Sequence, residues 1–193
     1  MLHKPESEFI LRQLTNNLAA HLRYHTVNHT LDVYNTATMI AANEKISAKD
    51  TKLLLIAALY HDAGYLYQSK GHEAISCKIA AESLPQFGYK NAEINQICNI
   101  ITATKIPQQP HSQLEMIICD ADLDYLGRND FFEIGHQLYL EMLASGTVTN
   151  EKEWNLLQVV FLQQHRYFTQ TSQQLRNDKK QENLTILLSK TAV

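Results

Sequence analysis

The stretch LLLIAALYHDAG, residues 53–64, decides how the rest of the chain is read. Its first eight residues are apolar whichever way a helix is turned, and neither glycine nor proline interrupts them. A helix with no polar face belongs in the middle of a protein. Ser47 supplies an N-cap oxygen ahead of it and Asp50 a carboxylate in its first turn. The helix then runs straight into His61 and Asp62 and breaks at Gly64. Ionisable side chains at the end of so apolar a helix are costly unless they are paired, hydrogen-bonded or bound to a metal. Taken alone, the pair favours the ordinary reading, a satisfied core histidine beside a capping carboxylate.

Helical periodicity continues on both sides. Pro5 opens a helix to about Leu22, with Phe9, Ile10, Leu14 and Leu18 on one side. A second starts near Thr26 to Asn28 and ends near Asn43. After the central helix come His72–Leu84, stopped by Pro85, then Asn91–Thr104, then Ser112–Leu126 beyond the prolines at 107 and 110. Asn129–Ser145 ends at Gly146. Asn150 with Glu153 forms a capping box for a helix to about Phe168, and Thr171–Ser189 is amphipathic. No strand signal, linker or repeat stands out. Six glycines and four prolines in 193 residues disfavour sandwiches and barrels. The expectation is a single all-α domain over residues 1–193. Its motif-bearing core covers about 20–130, and C-terminal helices at 150–190 pack on it.

Apolar residues make up 45% and charged residues 19%, as in ordinary globular proteins. A net charge of −3 argues against a nucleic-acid polymer or an anionic membrane as partner. The longest apolar run is too short to span a bilayer, and the N-terminus has no leader-like segment. Cys77, Cys98 and Cys119 form no CxxC pair and are odd in number, which points to reduced, buried thiols and a cytoplasmic location.

Two further segments carry polar residues on core-facing stripes. In YHTVNHTLDV, residues 24–33, His29 shares a stripe with Val33 and Ile40, and His25 lies one turn earlier. In MIICDADLDYLG, residues 116–127, Leu114, Ile118, Ala121 and Tyr125 form a stripe with Asp122 at its edge. Asp120 and Asp124 fall away from it, toward caps, supporting bonds or solvent. Two imidazoles and two carboxylates on three helices can hold a hard or borderline divalent ion and leave positions open for water or substrate.

The order His29, then His61-Asp62, then Asp122 in an Ala-Asp dipeptide resembles the HD superfamily of metal-dependent phosphohydrolases. YHTVNHTLDV is also similar to the YHNxxHAxDV segment of class I cyclic-nucleotide phosphodiesterases, with Thr26 in place of the Asn. The resemblance implies an all-α, compact HD-domain helical bundle whose metal ligands are His29, His61, Asp62 and Asp122. It makes His25 the candidate proton donor and gives Asp62 a second role in orienting the attacking water. The implied cofactor is a divalent ion: Mg, Mn, Fe, Co, Ni or Zn. The implied activity is hydrolysis of a small phosphate ester, a nucleotide first among them, by metal-activated water.

Candidates for substrate contact are His72 and Glu73 after the HD pair, Lys105 at the end of ITATK, Arg128 after the acidic segment, and His165 beside Tyr167 and Phe168. Each has an ordinary alternative: a loop residue, a solvated helix end, an ion pair with Asp124 or Asp130, or an aromatic core. Two other functions stay open. One is an HD-fold diiron oxygenase, for which His72 is the plausible extra ligand. The other is a non-catalytic metal- or nucleotide-binding regulator.

Overall fold

A computed structural model describes residues 1–191. Among them are nine α-helices and no strand. The helices are α1 (Pro5–Asn17), α2 (Val27–Asn43), α3 (Ala48–Tyr60), α4 (His72–Ser83), α5 (Asn91–Ala103), α6 (Gln113–Asp122), α7 (Phe131–Ala144), α8 (Glu151–Gln164) and α9 (Gln170–Thr191). No helix among the described residues is long and apolar enough to cross a membrane.

The apolar character of α3 places it at the centre, where every residue from Leu53 to Tyr60 is buried. Its start is fixed as expected, with the Asp50 N–H donating to Ser47 Oγ at 3.1 Å. The helices α1, α2, α5 and α6 surround it. Leu54, Ile56, Ile40, Ile97 and Ile117 interlock in the main core. A second apolar cluster gathers Tyr24, Leu126, Phe131, Leu162 and Leu187 where α7, α8 and α9 meet the 3₁₀ turn Asp124–Gly127. Here α9 crosses so closely that a Cβ on Gly127 would lie 2.5 Å from the Arg176 carbonyl oxygen. Gly64 meets a similar demand, since its Cβ would lie 2.1 Å from the His72 carbonyl oxygen. That contact lets the start of α4 lie against the end of α3.

Three helices stop earlier than their periodicity suggests, and beyond each end a carboxylate and a distant segment of the chain are tied together. Instead of reaching Leu22, α1 ends at Asn17, and the Leu18 backbone is extended. The N–H groups of Arg23, Tyr24 and His25 then donate to Glu141 Oε2 on α7, at 2.9, 2.9 and 3.2 Å. The helix expected to reach Leu126 ends at Asp122, and beyond it Arg176 on α9 binds both oxygens of Asp124 at 2.8 and 3.1 Å. The helix expected to reach Phe168 ends at Gln164. There Asp120 accepts the Phe168 and Thr169 N–H groups, each at 2.8 Å, and the Thr169 hydroxyl at 2.7 Å. The cysteines correct one further expectation: only Cys119 is buried, while Cys77 and Cys98 are half-buried.

Asp120 is fully buried, so its removal leaves buried donors unpaired. Asp120→Ala should destabilise the fold by about 2–4 kcal/mol, the cost of orphaning buried donors. Thermal or urea denaturation reads this directly, and an unchanged transition would remove the Asp120 latch from the account of this fold.

Candidate metal centre and its cleft

The end of α3, the first turn of α2 and the last residue of α6 converge on one point. His29 Nε2 lies 3.1 Å from Asp122 Oδ1 and 3.4 Å from Asp62 Oδ2. His61 Nε2 lies 3.3 Å from Asp62 Oδ2, 3.4 Å from Asp122 Oδ1 and 3.3 Å from His29 Nε2. His61 is fully buried, and its Nδ1–H is engaged by the Ala58 carbonyl at 2.8 Å. That bond sets the tautomer and turns the Nε2 lone pair toward the cluster, the arrangement usual for a ligating imidazole. Ser76 holds the same turn, donating to the His61 carbonyl at 2.7 Å and accepting the Gly64 N–H at 2.8 Å.

The electrostatics of this cluster are those of a cation site. Burial by itself would depress the His29 imidazolium, but the hydrogen bond to Asp122 and the nearby charge of Asp62 outweigh it and raise its pKa to about 9. His61 is raised for the same reason, with Asp62 the main counter-charge. Burial would raise Asp62 and Asp122, yet the imidazoles hold Asp62 well below the usual carboxylate range and Asp122 near about 2. Even so, the buried Asp62 Oδ2 accepts no hydrogen bond. Donor atoms of His29, His61 and Asp122 lie within 4.8 Å of one another. Two imidazole nitrogens and two carboxylates, one with an orphaned buried oxygen, fit a divalent ion of the borderline class.

A cleft of ≈ 540 Å³ opens over this cluster, and His25, Asp62, Asp122, His72, Glu73 and Lys105 all reach it. His72 Nε2 lies 3.2 Å from Asp62 Oδ1, the oxygen facing away from His61, while its Nδ1–H donates to the Ser69 carbonyl at 2.9 Å. Lys105 and Lys70 sit at the margin, exposed. Two expected substrate contacts do not line this cleft. Arg128 is consumed by Asp32, at 2.8 and 2.9 Å, and by Asp130, at 2.8 and 2.9 Å, on another face. His165 lies behind the wall, its carbonyl taken by Lys180 at 2.6 Å. Burial and the nearby ammonium push its imidazole down to about 3, so it stays neutral.

His25 precedes α2 and stacks on Tyr65 with ring centroids 4.0 Å apart. Its Nδ1 pairs with Glu141 Oε1, and its Nε2 is 3.0 Å from the Tyr65 hydroxyl. Burial opposes the charge on Glu141, but His25 and the backbone N–H groups of Tyr24 and His25 win and lower its pKa. Glu141 and Tyr65 escaped the sequence reading. Glu141 sits on α7, 116 residues from His25, in a segment whose periodicity marks an ordinary amphipathic helix. No local signal identifies it, except that it is a glutamate on a face otherwise facing inward.

The profile of the HD domain family matches residues 26–124. The crystal structure of a predicted HD superfamily hydrolase from an uncultured Thermotogales bacterium superposes with a TM-score of 0.66. It is 20% identical, and the match covers 100% of this chain and 95% of that one, which establishes the shared fold. No protein of curated function matches the chain.

Two outcomes follow from the cluster. Asp122→Ala and His61→Ala should each lose bound metal, read by elemental analysis after dialysis, whereas Asp120→Ala should keep it. The second concerns pH. His29, raised to about 9 from 6.5, stabilises the metal-free fold fully below pH 6.5 and loses that contribution as pH rises through about 9. Asp122, lowered to about 2 from 3.8, contributes above pH 3.8 and loses this only as pH falls through about 2. An ion must displace the imidazole protons. The rise in melting temperature on adding metal should therefore grow from pH 7 to pH 9. A rise that shrinks over this interval would count against imidazole ligation.

Proposed function

This chain belongs to the HD domain family, and from that premise we propose that it is a divalent-metal-dependent phosphohydrolase acting on a small phosphate ester. The observation that carries the proposal is the orphaned Asp62 oxygen among His29, His61 and Asp122, on the floor of a cleft that also receives His25. We assign the ion to Nε2 of His29 and His61 and to the carboxylates of Asp62 and Asp122. Such an ion, when bound, makes water more acidic and draws charge from a phosphoryl oxygen.

The chain's own groups do the rest. Asp62 has one oxygen in the cluster and the other toward His72, so it can also orient a water at the cleft floor. Glu141 accepts from His25 Nδ1 and fixes the ring, so that Nε2 is the nitrogen that would pass a proton to the departing oxygen. Tyr65 stacks on the ring and holds its plane. Lys70 and Lys105 offer positive charge at the margin for the phosphate. A nucleotide satisfies these demands at its phosphate end, as do other esters. The oxygenase alternative rests on His72, the one further imidazole against Asp62 among the described residues. The regulator alternative leaves the His25–Glu141 pair without a task. The cytoplasmic location stays part of this proposal.

Purified protein supplied separately with Mg²⁺, Mn²⁺, Fe²⁺, Co²⁺, Ni²⁺ or Zn²⁺ should hydrolyse phosphate esters. Oxygen uptake without phosphate release would favour the oxygenase. His25→Ala should retain metal while turnover of an alkyl phosphate falls on the order of 10²–10⁴-fold, the usual contribution of a general acid. The loss on p-nitrophenyl phosphate, whose leaving group needs little protonation, should be smaller. Equal losses on both substrates would remove His25 from proton donation, and loss of metal would make it a ligand.

A further inference from the structure

The cleft continues well past the polar cluster. Beyond Asp122 its wall passes to Leu126, Leu138, Met142, Trp154, Leu157 and Phe161, supplied by α7, α8 and the turn before α7. The reason lies in the packing. The helix α7 rests on the turn Asp124–Gly127, and α8 rests on α9. The two helices therefore diverge, bridged by side chains such as Tyr139 and Trp154, whose ring centroids are 6.2 Å apart. A wedge lined by large apolar side chains is left open beside a charged floor. At ≈ 540 Å³ the whole cleft is sized for a drug-like molecule and far exceeds a bare phosphate.

We propose that the ester taken by this site carries an apolar group, aliphatic or aromatic, that fills the arm between α7 and α8 while its phosphate meets the polar floor. The phosphate end rests on the phosphohydrolase reading, whereas the apolar end rests on the arm alone. A nucleoside suits the arm poorly. Its base edge and ribose hydroxyls need matched partners, and burying them unpaired is penalised. The polar side chains lining the arm among the described residues are Tyr125, Trp154 and Gln158. Gln158 already directs its amide Nε2 to Asn155 Oδ1 at 3.4 Å, and Thr104 at the junction donates its hydroxyl to the Ile101 carbonyl at 2.8 Å. The division also follows the chain. The floor comes mainly from within residues 26–124, which match the family, and most of the arm from beyond them.

The reaction then balances simply. Water adds to phosphorus, the bond from phosphorus to the ester oxygen breaks, and that oxygen takes a proton from His25. The products are phosphate and an apolar alcohol or phenol, and the proton given up by the water restores His25.

Trp154 is the single tryptophan of the chain and lines the arm, so its fluorescence reports occupancy. The test is to titrate Zn²⁺-loaded protein with methyl-, butyl- and octylphosphonate and with adenosine 5′-monophosphate. The carbon–phosphorus bond is not hydrolysed, so binding is read whether or not the protein turns over esters. Affinity should rise about fourfold per added methylene until the arm is full, the factor expected for burying one methylene. Octylphosphonate should bind more tightly than the nucleotide. Leu157 is 39% exposed and tolerates a polar replacement, so Leu157→Gln should weaken octylphosphonate far more than methylphosphonate. Affinity independent of chain length, or tighter binding of the nucleotide, would overturn the proposal and leave the phosphohydrolase reading intact. Chain-length-dependent binding by a protein that hydrolyses no ester would sustain the arm and sink the hydrolase.

Discussion

Everything in this protein is arranged around two carboxylates that the apolar core cannot tolerate alone. Asp62 follows the most hydrophobic helix, and Asp122 ends a helix whose buried residues are, apart from Asp120, leucine, isoleucine, cysteine and alanine. Burying an ionised carboxylate costs several kcal/mol unless positive charge accompanies it. His29 and His61 supply that charge as protons when no ion is present, which is why their pKa values rise while those of the aspartates fall. In the proposed holo protein a divalent ion would take the place of those protons, with the Asp62 oxygen that they leave unsatisfied as a further ligand. Stability and chemistry therefore depend on the same constraint.

Other carboxylates solve a different problem with the same physics. Glu141, Asp120 and Asp124 each gather donors from segments far away in the chain. Each such tie lies just beyond a helix that stops short of its periodicity. The consequence for the site is geometric. Glu141 gathers the N–H groups of residues 23–25 and so orients His25 over the cleft, while Asp124 and Arg176 lock the turn from which α7 departs. The open arm between α7 and α8 is a product of these ties, because α7 is anchored to that turn and α8 to α9.

Much of this was legible from sequence because it depends on near neighbours. A run of eight apolar residues can only be a buried helix, and Ser47 with Asp50 marks its start. Spacing on the 114–125 stripe made Asp122 the inward-facing carboxylate over Asp120 and Asp124, but the structure buries Asp120 and Asp124 more deeply and leaves Asp122 partly open to the cleft, because Thr169 and Arg176 meet the other side of this segment. The four-residue spacing of His25 and His29 suggested one helical face, but α2 begins at Val27, and His25 reaches the cleft because Glu141 holds the segment before the helix. Arg128 and His165 were misplaced for the complementary reason. Whether an exposed-looking cation or an aromatic-flanked histidine meets substrate depends on what lies opposite, and Asp32 and Lys180 claimed them first.

The sequence by itself thus determined an all-α bundle, a central helix ending in a histidine and an aspartate, and the residue types of a candidate metal centre, because helical periodicity and the cost of buried charge act locally. Only the tertiary structure decided that Glu141 would orient His25, that Asp120 and Asp124 would be tied to distant segments, and that an apolar arm would open beside the charged floor. Those outcomes depend on contacts between residues tens to over a hundred positions apart. Whether two such segments meet is settled by how whole helices pack, and no pattern within either segment encodes it.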